Sequence, residues 1–582
     1  MAGTTQSARR QEDQTAPLGN ATTRTEERVC AAVGLLHAAP VQFECADDVP
    51  LGGVLWALPA LLSEGLLKHS RAHFTLAEGF YPLESIFLVV AFMALARVRT
   101  IEALRYEPPG EWGRIVGLDR IPEVRTVRQK LAELCAPAGV ATTWSGALAK
   151  EWMETQTDGD GVYYADGHVR VYHGALTALP RRYVARQKLC LRGVTDYWVN
   201  AMDGQPFFLV SRPVDAGLIE VLRTTIVPRL IAEAPGQPSA AELAAEPLRH
   251  RFTIIHDRAG YSPPYFAEMK ALRVAVITYH KFPGEDWASD EFKPQTLTLV
   301  HGEQVTLDLA ERGTRLSNGL WVREVREREV GGHQVSVIAT DYRSALAAIA
   351  VRMFARWTQE NFLKYMREHF AIDRLVEYGV EALPATTTLV NPAWRRLDAE
   401  VRRERAQLAR AHAQFGALTL APAPEPAEVE EWQAQKARLH AAVTTRQARV
   451  DELKAGRKAT AHHVTLGELP ANEQFPRLRA ERKHFVDTIK LLAYRAETAL
   501  VGTVRENLAR HDDARSLVRE ILRTTADLRP DLAQKTLTVR LHPLSSALQN
   551  AAARHLADEL TATETDFPGT DLRLIFTLPG PV

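Results

Sequence analysis

Apolar residues along the first quarter of the chain recur with the spacing of α-helices. Between about residues 50 and 150 this pattern predicts helices over Leu51–Leu66, Pro82–Leu104 and Val124–Leu134. The third is amphipathic and has a basic face, which suits either a DNA-binding helix or a solvated helix of an all-helical domain. The two interpretations carry equal weight at this point.

Near residue 160 the apolar period changes from that of a helix to that of a strand. Val162–Asp166 is predicted to be a buried strand that ends on an acid, and Phe252–His256 is a second, followed directly by an acid. A helix over Pro264–Ala271 and a strand over Arg273–Tyr279 follow, and this strand, helix, strand order predicts an α/β sheet. Further strands are predicted at Val169–Tyr172, Lys188–Leu191 and Pro206–Val210, and a helix that Pro228 ends or kinks at Val214–Val227.

From about residue 295 to 340 short alternating runs predict a β-rich segment, with Gly331 and Gly332 at a hairpin turn. A strongly helical stretch over Ser344–Phe370 follows. Beyond residue 393 two helical arms flank a proline-rich break and predict a helical hairpin. The second arm has the 7-4-7-3 apolar spacing of a coiled-coil seam, carried by Trp432, Leu439, Val443, Val450 and Leu453.

These patterns divide the chain into six parts. We expect a disordered tail over 1–28, a helical domain and candidate DNA-binding domain over 29–155, an α/β core formed by 156–294 and 341–385, a β-rich insertion over 295–340, a coiled helical hairpin over 386–460, and a mainly helical C-terminal domain over 461–582.

Composition indicates a globular protein: 46% of the 582 residues are hydrophobic and 24% are charged. The four separated cysteines lack zinc-ligand spacing and are typical of a reducing compartment. The N-terminus has no apolar signal segment, and the most apolar run, Ile86–Ala96, is too short to span a bilayer. We therefore expect a cytoplasmic protein without a membrane partner.

Three carboxylates stand out by position. Asp166 and Asp257 each follow a predicted buried strand, and Glu360 lies on the helix after the β-rich segment. Singly each is weak evidence, because an Asp-Gly after a strand is usually a turn and a Glu on a polar helix face is usually solvated. If the three converge, their repulsion can be relieved by two divalent metal ions, which also activate water for attack on a phosphodiester. Their order along the chain favours such a site.

This order resembles that of the DDE transposases of bacterial insertion sequences, whose catalytic core is RNase H-like. The branch to which residues 160–370 are similar has a β-strand insertion and a helix signature of Tyr, two residues, Arg, three residues, Glu, six residues and Lys (the YREK type). Arg356 and Glu360 have the signature's spacing, whereas Met353 stands at the Tyr position and Arg367 at the Lys position. Lys364, one turn after the Glu, is the candidate substitute. The Asp-Arg-Ala-Gly-Tyr stretch at Asp257 also resembles the family's second-Asp motif.

The resemblance implies an α/β fold: an RNase H-like core with a β-rich insertion, flanked by a helical N-terminal region and a helical, coiled-coil C-terminal region. Asp166, Asp257 and Glu360 would be both catalytic residues and metal ligands for two Mg²⁺ ions, with Mn²⁺ as a substitute. They would hydrolyse element ends, and the freed 3′-OH would attack target DNA. The implied partner is double-stranded DNA, bound at paired ends by a homodimer or larger assembly in the bacterial cytoplasm, at the nucleoid.

Basic charge is concentrated just after the first of these acids. The chain has 71 Lys and Arg against 71 Asp and Glu, yet the stretch from Val169 to Val194 contains no acid. We interpret its basic residues as DNA-phosphate contacts rather than ordinary surface charge: Arg170, Arg181, Arg182, Arg186, Lys188 and Arg192. By resemblance, Arg356 would face DNA or steady Glu360, and Lys364 would face DNA. The equal totals therefore exclude a uniformly basic DNA coat but not a locally positive surface.

Two other functions remain open. One is a non-catalytic, domesticated DNA-binding or scaffolding relative that uses the hairpin for assembly, which the Met353 and Arg367 departures allow. The other is a metal-dependent DNA nuclease without strand transfer, which would share the same acids. The chain has no GxxxxGK[ST] motif, so an ATP-driven motor is not supported.

Overall fold

A computed structural model of the chain describes residues 20–155, 161–174, 177, 179–184, 187–212, 217–299, 302–420, 425–508 and 510–579. The α-helices in these ranges are α1 Thr25–Ala32, α2 Leu58–Ser63, α3 Ser70–His73, α4 Leu83–Leu95, α5 Pro109–Ile115, α6 Val124–Leu134, α7 Val140–Thr155, α8 Leu218–Val221, α9 Val227–Glu233, α10 Ala240–Ala245, α11 Pro263–Ala271, α12 Leu346–Phe354, α13 Trp357–His369, α14 Pro392–Leu420, α15 Val429–Ala459, α16 Glu481–Arg505, α17 Ala514–Ile521 and α18 Ala547–Ala562.

The strands in the same ranges are β1 Ala46–Val49, β2 Val162–Val171, β3 Arg181–Val184, β4 Leu189–Asn200, β5 Pro206–Arg212, β6 Thr253–His256, β7 Ala275–Tyr279, β8 Lys293–Thr298, β9 Gln304–Arg315, β10 Trp321–Arg328, β11 Gln334–Ala339, β12 Val380–Glu381, β13 Thr388–Val390, β14 His463–Thr465, β15 Arg477–Leu478, β16 Ala526–Asp531, β17 Thr536–Leu541 and β18 Arg573–Thr577.

A large mixed sheet forms the centre of the molecule. Its strand order is β3-β4-β2-β6-β7-β11-β10-β9-β8, and β5 pairs with the other part of β4. Strands β2, β6 and β7 are parallel, and the remaining pairings are antiparallel. The predicted α/β sheet is therefore present, with its parallel strands at the centre, where both faces are covered.

Strand β2 is longer than its sequence predicts. Instead of ending at Asp166 it continues to Val171, with Asp166 opposite Trp198 on β4. The Asp-Gly pair is typical of a turn, but the long neighbouring strand β4 supplies backbone partners through residue 171 and keeps the chain extended. Asp166 thus lies inside a strand, whereas Asp257 directly follows β6, as predicted.

The predicted β-rich insertion is part of the central sheet. Strand β11 pairs with the core strand β7, with Val337 opposite Tyr279, and β10, β9 and β8 extend the sheet outward. Gly332 has a φ of +82° at the β10–β11 turn, a conformation that favours glycine. The helical stretch that follows is two helices, α12 and α13, separated at Ala355 and Arg356.

The N-terminal and C-terminal regions do not form the separate domains that the sequence predicts. Strand β1 pairs with β16, and the four-stranded sheet β1-β16-β17-β18 thus joins residue 46 to the last strand of the chain. Helix α16 packs against α2, α4 and α7 of the N-terminal region and against α17 and α18 of the C-terminal region. A single buried aromatic cluster of Phe74, Phe87, Trp144 and Phe485 unites the two regions.

The predicted helical hairpin is present as α14 and α15, which pack against each other. Buried apolar side chains lie along the contact between the two helices: Val401, Leu408, Ala411, Val450 and Leu453. Two of these, Val450 and Leu453, belong to the predicted seam. The break between the arms falls partly on residues 421–424, outside the described ranges.

Two smaller predictions differ from the structure. Pro228 does not end its helix: a π-helical turn over Leu222–Ile226 precedes it, and Pro228 lies in the first turn of α9, where its missing N–H costs little. The predicted disorder of residues 1–28 is wrong for the end of that range, because α1 begins at Thr25 and Arg28 forms an ion pair with Asp119. Residues 1–19 lie outside the described residues. None of the described helices is both long and apolar enough to cross a bilayer.

We predict that Phe485→Ala destabilises the N-terminal and C-terminal regions together. The side chain is fully buried between Phe74, Phe87 and Trp144, so its loss should lower the free energy of unfolding by about 3–5 kcal/mol. Urea unfolding measures this change, and limited proteolysis should reveal new cleavage in both 46–155 and 481–577. The control Leu532→Ala, at an exposed position, should change stability by less than about 0.5 kcal/mol. Cleavage confined to one region would refute the shared core.

Candidate functional site

The register of two parallel strands places Asp166 beside Asp257. Strands β2 and β6 pair with Ala165 opposite His256, and the next residue in each of these two segments is an aspartate. Because side chains alternate along a strand, Asp166 shares the sheet face of Tyr164, and Tyr164 packs with Ile255 and Met353 beneath α12. Two carboxylates therefore occupy neighbouring positions on the face that the helices α12 and α13 cover.

The electrostatic environment of Asp166 reflects this neighbour. Its side chain is 21% exposed. Burial, together with the charges of Asp257 and Glu360, raises the pKa of its carboxyl to about 6, against the opposing effects of Arg356 and the Gly167 amide. The Gly167 N–H donates to Asp166 Oδ1 at 2.7 Å. Asp257 Oδ1 accepts from the Ala259 N–H at 2.9 Å and so caps a short 3₁₀ turn. A nearby cation would stabilise the ionised pair.

Helix α13 is held against the sheet by the buried side chain of Gln359. Its amide Nε2 donates to the carbonyl oxygens of Tyr164 at 3.3 Å and Trp198 at 3.1 Å, and to Asn200 Oδ1 at 2.8 Å. Thr358 adds a hydrogen bond of 3.1 Å to the Met202 carbonyl. These contacts tie the first turn of α13 to β2 and β4, and they place the next residue, Glu360, at the edge of the acidic pair.

Arg356 lies between the carboxylates. Its guanidinium forms an ion pair with Glu360 and approaches Asp166 Oδ2 to 4.0 Å. The side chain of Arg356 is 15% exposed, whereas that of Glu360 is 54% exposed. Of the two roles considered for Arg356, this geometry corresponds to steadying Glu360. Arg356 partly neutralises the acids and holds the Glu360 carboxylate in an ion pair.

The structure does not draw all three carboxylates into one metal-binding cluster. Within the described ranges, the set of acidic and histidine ligand atoms that all lie within 4.8 Å of one another belongs to Asp48, Asp527 and His542, far from the predicted acids in the chain. Arg540 already pairs with Asp527 there, at 2.5 Å. At the predicted site, Asp166 and Asp257 are brought together, while the Glu360 side chain turns to Arg356.

Two of the predicted DNA contacts lie in the interior, which corrects their assignment. Arg170 is buried and its guanidinium donates to both oxygens of Asp196, at 3.0 and 3.2 Å, so it stabilises the core. Arg182 is also buried. The cause is strand alternation, which turns every second side chain inward and cannot be read from a run of basic residues. Arg186 lies outside the described residues.

The other predicted contacts are exposed: Arg181, Lys188, Arg192 and Lys364. Arg181 lies directly opposite Arg192 on the antiparallel strands β3 and β4. Like charges in this position destabilise a strand pair, so an anion on that face would be stabilising. Lys364 is one helical turn beyond Glu360 and shares its exposed face.

Sequence reasoning missed the residues that position the site. Gln359, next to the solvated-looking Glu360, has no sequence signal that predicts its burial. His168, two residues after Asp166, contacts Asp373 just after α13 through its ring Nε2. Met353, at the signature's Tyr position, is fully buried in the cluster with Tyr164 and Ile255. The departure from the signature at this position thus serves packing.

Comparisons with known proteins identify the family. A family model described as "Transposase protein" matches residues 19–580, and the chain belongs to this transposase family. One solved structure with detectable similarity is the cryo-EM structure of the piggyBac transposase synaptic complex with hairpin DNA. The identity is 10%, the match covers 55% of this chain and 59% of that chain, and the TM-score is 0.25, too low to carry an argument. No curated protein matches the chain.

We predict a pH-dependent gain in stability for Asp166→Asn in metal-free buffer. Because the pKa of the folded carboxyl is raised to about 6, its ionised form costs stability above pH 6, and a neutral amide removes that cost. Urea unfolding should show a gain of about 1–3 kcal/mol at pH 8 that shrinks through pH 6 and vanishes near pH 4. The control Glu564→Gln, at an exposed position, should show no such trend. A gain independent of pH would contradict the explanation.

Proposed function

We propose that this member of the transposase family uses Asp166, Asp257 and Glu360, on an RNase H-like core, to cut and join DNA. The reaction would move an element of the insertion-sequence type. The observation that carries the proposal is the β2–β6 register, which sets two carboxylates side by side beneath an anchored helix that bears the third. A purely structural role would leave this repulsion uncompensated, since raised carboxyl pKa values mark charge that the fold does not neutralise.

The donor set fits Mg²⁺, and Mn²⁺ equally. Carboxylate oxygens are the hard ligands that these ions prefer, and the raised pKa of Asp166 reports a position where added positive charge would stabilise the protein. Asp166 and Asp257 would hold a shared ion, and Glu360 would complete a second site. Two bound ions would supply an activated water and stabilise the leaving oxygen in an in-line attack on a phosphodiester.

The chain's own residues would orient these groups. Gln359 and Thr358 fix the first turn of α13, so Glu360 needs only a side-chain rotation to turn from Arg356 toward the aspartates. The released Arg356 would then be available to a DNA phosphate. Hydrolysis would break a phosphodiester at the element end and free a 3′-OH. Attack of that hydroxyl on a target phosphodiester would form the new ester bond, break the target's own bond to phosphorus and release the target's 3′-OH as the leaving group. No covalent protein intermediate is needed.

DNA would approach along the basic β3–β4 strands. Asp166 pairs with Trp198 on β4, and Arg192 lies six residues earlier on the same strand, which corresponds to roughly 20 Å. The exposed pair of Arg181 and Arg192 would thus contact backbone phosphates about six base pairs from the cut, at a rise of about 3.4 Å per pair. Paired element ends would require two copies of the chain.

A non-catalytic DNA-binding role is the second candidate, and one observation favours it. Glu360 pairs with Arg356 rather than with the aspartates, an arrangement that a protein without metal chemistry could retain. A nuclease without strand transfer would share the same residues as a transposase. A transposase would join the cut ends to a target plasmid, whereas a nuclease would only cut them. A scaffold would do neither.

We predict that Asp166→Asn, Asp257→Asn and Glu360→Gln each lower Mg²⁺- or Mn²⁺-dependent cleavage of element-end DNA by at least about 10³-fold, because each removes a charged ligand. DNA binding in EDTA should persist. Glu368→Gln, two turns along the same helix, is the matched control and should cleave normally. Full cleavage by any of the three variants would remove that residue from the site, and an inactive wild-type chain that binds DNA would favour the scaffold.

We also predict that the double substitution Arg181→Gln with Arg192→Gln weakens DNA binding and reduces its dependence on salt. Each lost phosphate contact should lower the slope of log affinity against log salt by about 1. Fluorescence anisotropy of a labelled duplex in EDTA over a range of KCl concentrations measures the slope. The matched control is Arg573→Gln, which removes a half-exposed arginine from β18. An unchanged slope would place the DNA elsewhere.

A further inference from the structure

A strongly basic cavity of about 460 Å³ lies at the amino ends of β2 and β6, at the opposite end of these strands from the acids. Gly161, just before β2, forms part of its wall. The side chains that carry the argument come from the segment before β6, from the loop that leads into α12 and from α12 itself: Arg249, His250, Arg251, Arg343, Ser344 and Arg352. The described residues that line the cavity include no carboxylate.

The arginines here are only partly neutralised by acids behind them. Arg249 pairs with Glu242 and Glu246, and Arg343 pairs with the same Glu246 at 3.0 Å. Arg352, nine-tenths buried, donates from Nη1 to Asp341 Oδ2 at 2.9 Å and also to Ser344 Oγ at 2.9 Å. Among the described residues, these three guanidinium groups thus face the carboxylates of Glu242, Glu246 and Asp341, and Arg251 is the arginine that none of these acids pairs with.

Arg251 carries the remaining charge. Its Nη1 lies 3.5 Å from Gln237 Oε1, a neutral acceptor. In the part of the chain that the structure describes, Arg251 has no carboxylate within 4.0 Å. Like charges gathered around one cavity are unfavourable unless an anion enters it, and the planar fork of a guanidinium matches the oxygens of a phosphate.

The size and position of the cavity point to a phosphate carried on a larger molecule. Each molecule of liquid water occupies about 30 Å³, so a cavity of about 460 Å³ is larger than a lone phosphate ion requires. Arg251 lies six residues before Asp257, which corresponds to roughly 20 Å along the extended chain. This distance corresponds to about six base pairs of duplex, so the cavity and the acidic site are separate sites.

We propose that this cavity is a phosphate-binding site that holds a backbone phosphodiester of DNA remote from the acids. The proposal rests on the DNA partner of the proposed function but not on its cleavage chemistry. Arg251 and Arg343 would bind the phosphate oxygens directly. Arg352 and Ser344, locked together by Asp341, would form the fixed wall of the site.

The test uses the full chain in EDTA, so that no cleavage occurs, with Arg251→Gln and Arg343→Gln as separate variants. Anisotropy of a labelled 30-base-pair duplex over a range of KCl concentrations should show about 3- to 10-fold weaker binding at 150 mM KCl and a slope lower by about 1 for each variant. Arg573→Gln, whose ion pair with Glu564 resembles that of Arg343 with Glu246, should bind as the wild type does. Unchanged melting temperatures would show that the variants remain folded.

A second measurement distinguishes bound DNA from a free phosphate. The melting temperature of the wild type is compared in inorganic phosphate and in chloride at equal ionic strength. One combination of results would overturn the DNA assignment: phosphate raises the melting temperature of the wild type, it does not raise that of the variants, and the variants bind DNA normally. In that case the cavity binds a free phosphate. If neither measurement changes in the variants, the site itself is overturned. A wild type that binds no DNA overturns both the assignment to DNA and the proposed function, whereas weaker binding by the variants alone supports the inference even if cleavage fails.

Discussion

The repulsion between two adjacent carboxylates is the constraint on which the site depends. Parallel pairing of β2 with β6 places Asp166 beside Asp257, and the partial burial of Asp166 weakens the screening of its charge by water. Arg356 supplies the nearest positive charge, and it does so from the turn that separates α12 from α13. The helix break, Arg356 and the buried Gln359 are thus parts of one arrangement that reduces the repulsion in the acidic cluster.

Helix α13 is held at both ends by buried polar contacts, which is why the acidic site and the C-terminal region form one structure. Gln359 fixes its beginning to the sheet. Beyond its end, Lys483 and Lys490 of α16 donate to the carbonyl oxygens of Ile372 and Ala371, at 2.9 and 3.2 Å. Burial lowers the pKa of Lys490 to about 7, so this contact is made by a lysine whose charge is costly. These buried contacts from α16 fix the orientation of α13, the helix that bears Glu360.

The zero net charge of the chain conceals a separation of charge along the central strands. Acids lie at the middle of the sheet's parallel part, the exposed pair of Arg181 and Arg192 lies beyond one end, and the cavity around Arg251 lies beyond the other. A uniformly basic surface would bind any polyanion, whereas this distribution leaves a negative centre that attracts cations between two positive ends. The proposed metal-dependent cleavage of DNA would use this arrangement, with cations at the centre and DNA phosphates at the two ends.

Local sequence determined the elements and the identity of the acids, because apolar periodicity reports which face of each helix or strand is buried. Val124–Leu134 has the predicted bounds, and the strand before Asp257 ends where it was expected. Contacts between distant segments decided the rest. Pairing with β4 carried β2 through Asp166, strand alternation buried Arg170, and β1 joined β16 across nearly the whole chain. These outcomes depend on pairing with strands elsewhere in the chain, or on which face of a strand is covered, and no local pattern encodes them.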